Sequence, residues 1–190
     1  SNSGIFNAPT PVVNLTLTGD LVNNGTFNRG TGTVVFNGTS SISGSSSTTL
    51  HHVTISGILN RPVNLLLTGN FTNNGTFFGA SGTVSFNGTT TQDVGGTTVT
   101  DFSDITVNNT TAIPGARVQS NQNLVGTLTL ASNAQFDGDG SANTSVFTLL
   151  SSDDSPLQDA RVAQLPSGAS VIGSVTVQRY VSIGDDDDRF

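Results

Sequence analysis

The segment Asn14-Leu-Thr-Leu-Thr-Gly-Asp-Leu-Val-Asn-Asn-Gly-Thr-Phe27 returns fifty residues later as Asn64-Leu-Leu-Leu-Thr-Gly-Asn-Phe-Thr-Asn-Asn-Gly-Thr-Phe77. The register holds further, with Gly32-Thr-Val-Val-Phe-Asn-Gly-Thr39 matched by Gly82-Thr-Val-Ser-Phe-Asn-Gly-Thr89. After a two-residue slip, Leu50-His-His-Val-Thr-Ile55 is matched by Phe102-Ser-Asp-Ile-Thr-Val107. A degraded third copy runs from Asn123 to Leu130, continues at Ala134-Gln-Phe136 and ends at Ser145-Val-Phe-Thr-Leu-Leu150.

Within each copy, apolar residues alternate with Thr over a few positions and then meet Asn-Gly, Gly-Thr or Asn-Asn, the pattern of short strands bounded by turns. Asn24-Gly25, Asn37-Gly38, Asn74-Gly75 and Asn87-Gly88 all accept positive φ without strain. As hairpin turns they would build an antiparallel β-sandwich, and as corners a parallel β-helix, or β-solenoid. The period favours the solenoid: fifty residues with five or six short strands equal about two coils. Stacked Thr, Ser and Asn would form ladders, and Val, Ile, Leu and Phe would fill the interior. The expectation is an all-β chain of roughly eight coils, with the sandwich as the alternative.

Composition agrees. Of 190 residues only 10% are charged; the 13 acidic residues are all Asp, the 6 basic ones all Arg, and Lys, Glu, Met, Cys and Trp are absent. Three strong helix formers are therefore missing. Without Cys there are no disulfides, thiol catalysis or Cys-ligated zinc. Without Lys there is no Schiff base, phosphate-loop lysine or Lys–Asn isopeptide cross-link. A net charge of −7 opposes binding to nucleic acid, and no apolar run reaches the ~18 residues of a membrane helix. A chain without Met cannot begin at a translation start, so export after signal-peptide cleavage is expected.

Four segments follow: an N-terminal extension (1–11), the repeat-bearing solenoid (12–150), a C-terminal loop with a closing or donor strand (151–182) and an acidic tail (183–190). Val171 to Ser182 reads as one alternating strand, with Val171, Val175, Val177 and Val181 on a single face. Asp185 to Asp188 reads as a solvated run of like charge.

The combination Gly-x-Phe/Leu-x-Asn-Asn-Gly-Thr-Phe, then Gly-Thr-Val-x-Phe-Asn-Gly-Thr, then a Val-Thr-Ile or Ile-Thr-Val strand resembles the β-helix-like repeats of adhesin-like surface proteins exported by the type IX route of gliding bacteria. Val175-Thr-Val-Gln-Arg-Tyr-Val181 is similar to a segment that often follows such repeats. The resemblance covers residues 12 to 182 and implies a secreted, cell-surface, structural or adhesive protein.

Catalysis is not expected. Asp101 and Asp104 beside a strand, and Asp153 and Asp154 in the C-terminal loop, are the acidic candidates, and they lack the Lys and Arg neighbours of β-helix lyases. His51 and His52, as neighbours on a strand, should point to opposite faces and share no metal. Asp137-Gly-Asp-Gly-Ser141, with Asn143, offers oxygen at alternate positions as a calcium loop would, but lacks the glycine and closing Glu of an EF-hand, and turn chemistry explains Asp137, Asp139 and Ser141 equally well. No cofactor is expected. The open ends of a solenoid invite strand addition, which makes Val171, Val175, Val177 and Val181 the candidate self-association residues. The expected function is an extracellular structural subunit or spacer that joins copies of itself end to end in a cell-surface filament. The alternative is an adhesin or carbohydrate-binding module that contacts surface glycans.

Overall fold

The computed structural model describes residues 1–8, 10, 13–60, 64–78, 82–151 and 159–178. Its strands run in triplets: β1 (Ile5–Asn7), β2 (Leu15–Leu17) and β3 (Leu21–Val22); β4 (Thr26–Asn28), β5 (Thr33–Phe36) and β6 (Thr39–Ser43); β7 (Thr49–Leu50), β8 (His52–Ile55) and β9 (Ile58–Asn60). Next come β10 (Asn64–Leu67), β11 (Phe71–Asn73) and β12 (Thr76–Phe78), then β13 (Thr83–Phe86), β14 (Gln92–Gly95) and β15 (Asp101–Phe102). The last nine are β16 (Asp104–Val107), β17 (Ala116–Val118) and β18 (Gln122–Leu124); β19 (Thr127–Leu130), β20 (Gln135–Asp137) and β21 (Phe147–Leu149); β22 (Arg161–Val162), β23 (Ser170–Ile172) and β24 (Val175–Val177).

Every pairing joins strands three places apart in the chain, and every pairing is parallel. A hairpin sandwich needs antiparallel neighbours, so the fold is the β-solenoid, with three faces. The second face is one sheet of eight strands, β2 to β23, and the first face a sheet of six, β7 to β22, preceded by the separate pair β1 and β4. Both long sheets therefore continue together over about six turns, fewer than the roughly eight coils expected from length. The third face is split into two four-stranded sheets, β3 to β12 and β15 to β24. Strands of the second face begin at Leu15, Thr33, His52, Phe71, Gln92, Ala116, Gln135 and Ser170, so a turn takes 18 to 24 residues as far as β20, and the last takes 35.

The fifty-residue repeat does not equal two coils. β2 and β10 carry the same sequence pattern eight strands apart, and at three strands per turn that is two and two-thirds turns. Each copy therefore lies on different faces from the first: β3 is on the third face, whereas its counterpart β11 is on the second. The three faces accept the same sequence because all present the same requirement, an inward apolar residue beside a polar corner.

Inward positions form one continuous core. Phe36, Ile55, Leu67, Phe86, Val107 and Leu130 are buried at successive levels, and Phe71 meets Phe77 and Phe102 with ring centroids 5.4 and 5.3 Å apart. Such tilted pairs add to the stabilisation from burying the rings.

The corners explain the polar half of the repeat. Asn23 and Asn73 are buried, and the Oδ1 of each accepts the backbone N–H two residues on, from Gly25 at 3.3 Å and Gly75 at 3.2 Å. Their neighbours Asn24 and Asn74 reach one turn ahead, accepting the N–H of Ser45 and Thr97. Asp20 and Asn70 do the same for Ser41 and Asp93, so either residue type serves where only an acceptor is needed. The Asn-Gly glycines are not among the residues with positive φ. A side chain on Gly25 or Gly75 would overlap the carbonyl oxygen of Gly4 or Gly57 in the preceding turn, so closeness of approach, not φ, demands glycine there.

Candidate functional site

The C-terminal edge is the candidate site nearest to the sequence reading. Val171 to Ser182 is not one strand: β23 and β24 lie on different faces, separated by a corner at Gly173, whose φ is 72°. The physical reason is the acidic turn beneath it. Ser174 N–H donates to Asp139 Oδ2 at 2.8 Å, and a side chain on Gly173 would overlap Asp139 Oδ1. Alternation alone cannot reveal that interruption, although the glycine marks it.

In this edge Val171 stands over Phe136, Val175 over Phe147 and Val177 over Leu149. Val171 and Val175 are half-buried against the core, and Val177 is 66% exposed. Ile172 and Leu165 are also exposed. Among the described residues, β22, β23 and β24 end the stacks of all three faces and carry no further strand. Val181 and the acidic tail lie outside the described residues, as do Asp153 and Asp154.

The opposite edge has the same character. Asn2 bridges to Asn23 in parallel, and Ile5–Asn7, within the segment set apart at the N-terminus, pairs with Thr26–Asn28. Ile5 is 74% exposed, and Phe6 stacks on Phe27 at 5.4 Å. Leu15 and Leu17 are half-buried on β2, whose other side has no strand among the described residues.

The Asp137–Ser141 turn has become part of the scaffold. Asp137 and Asp139 are buried; Asp137 Oδ1 accepts the N–H groups of Asp139 and Gly140 at 3.3 and 3.2 Å. Ser141 instead donates its hydroxyl to Gln119 Oε1 at 3.3 Å. No group of three or more His, Cys, Asp or Glu side chains able to hold a metal occurs among the described residues. Asp101 accepts from Asn123 Nδ2 and Asp104 from Thr127 N–H, both at 2.7 Å, so each carboxylate ties one turn to the next.

The two histidines are brought together rather than sent to opposite faces. His51 sits at the corner between β7 and β8, where strand alternation does not apply, and the two rings meet edge-on with centroids 4.2 Å apart. His51 Nδ1 bonds to Thr68 Oγ1 at 3.0 Å, and His52 Nδ1 accepts Asn70 N–H at 2.9 Å. Burial lowers the pKa of both below the usual value; for His51 the neighbouring His52 and Arg29 lower it further. A cavity of about 330 Å3 opens beside this corner, lined by Arg29, Thr31, His51, Thr68 and Asn87 to Thr90. The sequence reading did not find it, because its residues come from four successive turns.

The described residues contain no helix long and apolar enough to cross a membrane. No family model matches the chain, and neither the curated proteins nor the solved structures gave a match.

Proposed function

We propose that this protein is a structural subunit of the cell exterior that associates end to end, each solenoid continuing the three-faced stack of the next. The observation that carries the reading is a pair of edges that bear no further strand among the described residues: β22 to β24 at one end, and β2 with its neighbours at the other, with apolar residues exposed at both. A parallel strand presents complementary N–H and C=O groups on its two sides, so the C-terminal edge of one copy suits the N-terminal edge of another. Such a contact is head to tail and does not close, which yields filaments rather than dimers. The secreted, type IX-like setting rests on the composition and the repeat resemblance. Asp101 and Asp104, committed to inter-turn hydrogen bonds, support a role without catalysis.

Sedimentation of concentrated protein tests the joint. The unaltered chain should sediment as polymers, and Val175→Asp with Val177→Asp should sediment as monomers of unchanged circular dichroism. Should the double variant unfold, Val177→Asp alone, at a position already 66% exposed, carries the test. Polymers that persist in the folded variants would overturn this edge as the joint.

A further inference from the structure

The cavity beside the histidines is built from equivalent corners of consecutive turns. Arg29 and Thr31 lie between β4 and β5, His51 between β7 and β8, Thr68 between β10 and β11, and Asn87 to Thr90 between β13 and β14. The corner from the first face to the second thus forms a groove parallel to the solenoid axis. It lies on the side of the body, so end-to-end stacking would leave it open.

Its chemistry differs from that of the rest of the chain. The protein carries a net charge of −7, yet this lining contains an arginine and a histidine and no carboxylate. Among the described residues the ion pair is Arg117 with Asp93, at 2.9 Å. Arg29 instead donates to the carbonyl oxygen of its neighbour Gly30, at 3.2 Å, which leaves most of its guanidinium donors for another acceptor. The Nδ1 atom of His51 is held by Thr68, which fixes the ring and leaves Nε2 free to meet a ligand. Asn87 Oδ1 accepts from Asn108 Nδ2 at 2.8 Å, which orients its amide and leaves the amide hydrogens available. At about 330 Å3 the cavity lies at the low end of ligand sites, roughly 300–1,000 Å3, a size for one sugar ring rather than a peptide.

We propose that this groove binds the carboxylate-bearing ring of an acidic polysaccharide, with Arg29 gripping the carboxylate and His51, Thr68 and Asn87 meeting the neighbouring hydroxyls. A planar guanidinium matches a carboxylate in two-pronged fashion. Hydroxyl and amide groups fixed by their own inter-turn bonds match ring hydroxyls without first having to be ordered. The pKa of His51 is lowered by burial first, then by His52 and Arg29, which favours the neutral ring that meets hydroxyl groups. In an assembled filament the groove would recur once per subunit, so weak single-site affinity would add up along a polymer.

Titration with trigalacturonate, followed by the histidine ring resonances and by calorimetry, tests the proposal without requiring assembly. The expected result is a shift of the His51 ring signals and an affinity at least about tenfold above that for neutral trigalactose. Arg29→Gln should lower that affinity by about tenfold or more, and Arg29→Lys, which keeps the charge but loses the fork, should fall between. Arg29 lies between strands, and unchanged circular dichroism checks that its replacement leaves the fold intact. Three results would overturn the proposal: no histidine shift in the unaltered protein, binding that ignores Arg29→Gln, or equal binding of inorganic sulfate, which would reduce the site to one for any anion.

Discussion

The side-chain oxygen of Asn74 accepts two hydrogen bonds from Thr97 in the following turn, from its backbone N–H at 3.0 Å and its hydroxyl at 3.2 Å. Asn24 and Ser45 repeat the relationship at 2.9 and 3.2 Å, on another corner. The corner asparagines thus bind turn to turn, and burial should decide their energetic weight. Asn73 is buried, accepts from Gly75 N–H and donates to Thr100 Oγ1 at 3.0 Å. Replacing it by Ala leaves those partners dry, so Asn73→Ala should cost about 1–3 kcal/mol in chemical denaturation. Asn74→Ala exposes its partner to water and should cost less than about 1 kcal/mol. Equal losses would refute the distinction.

Gly96 has φ +127°, and a side chain there would overlap the carbonyl oxygen of Asn73. Gly96→Ala should therefore destabilise by more than about 2 kcal/mol, combining strained backbone with a clash against main chain. Gly19 has open space around it and no positive φ. Gly19→Ala should be neutral, or stabilising by up to about 1 kcal/mol through the unfolded chain. Melting curves of the two variants check the contrast.

Thr48 and Ser40 are buried, and neither hydroxyl has a protein partner. A hydroxyl taken out of water without a hydrogen bond opposes folding. Thr48→Val keeps the shape and removes the penalty, so it should raise stability by about 1 kcal/mol in the same denaturation assay. A loss would mean that the hydroxyl is satisfied by an ordered water.

Acid should weaken the fold through the histidine pair. Both pKa values lie below the ordinary histidine value of 6.5, so the unfolded chain binds protons that the folded chain refuses. Stability rises with pH wherever the unfolded state holds more protons. The contribution is thus complete above about pH 6.5 and is lost as pH falls through the lowered folded values. A His51→Gln, His52→Gln variant should show a flatter melting temperature between pH 7.5 and pH 5 than the unaltered chain, about those pH limits being set by the ordinary histidine range.

What the sequence made legible was whatever depends on nearest neighbours along the chain. The alternation around Val34 and Phe36, and around Val84 and Phe86, gave the strands and the core, and the repeat gave the stacked architecture. The phase between repeat and turn was not legible, because nothing local records that eight strands separate β2 from β10 while three complete a turn. Corners were the other blind spot. His51 and His52 share a side because one precedes the strand, and Val171 and Val175 lie on different faces because Gly173 turns the chain over Asp139. The Arg29 groove is assembled from residues as far apart as Thr90, a proximity that only the stacking creates.

Electron microscopy of the unaltered protein over a range of concentrations, with diffraction from any aligned fibres, bears most directly on end-to-end continuation of the solenoid. The account predicts fibres whose ~4.8 Å strand spacing runs along the fibre axis, as in each subunit. Isolated short rods at every concentration, or fibres with that spacing across the axis, would contradict it.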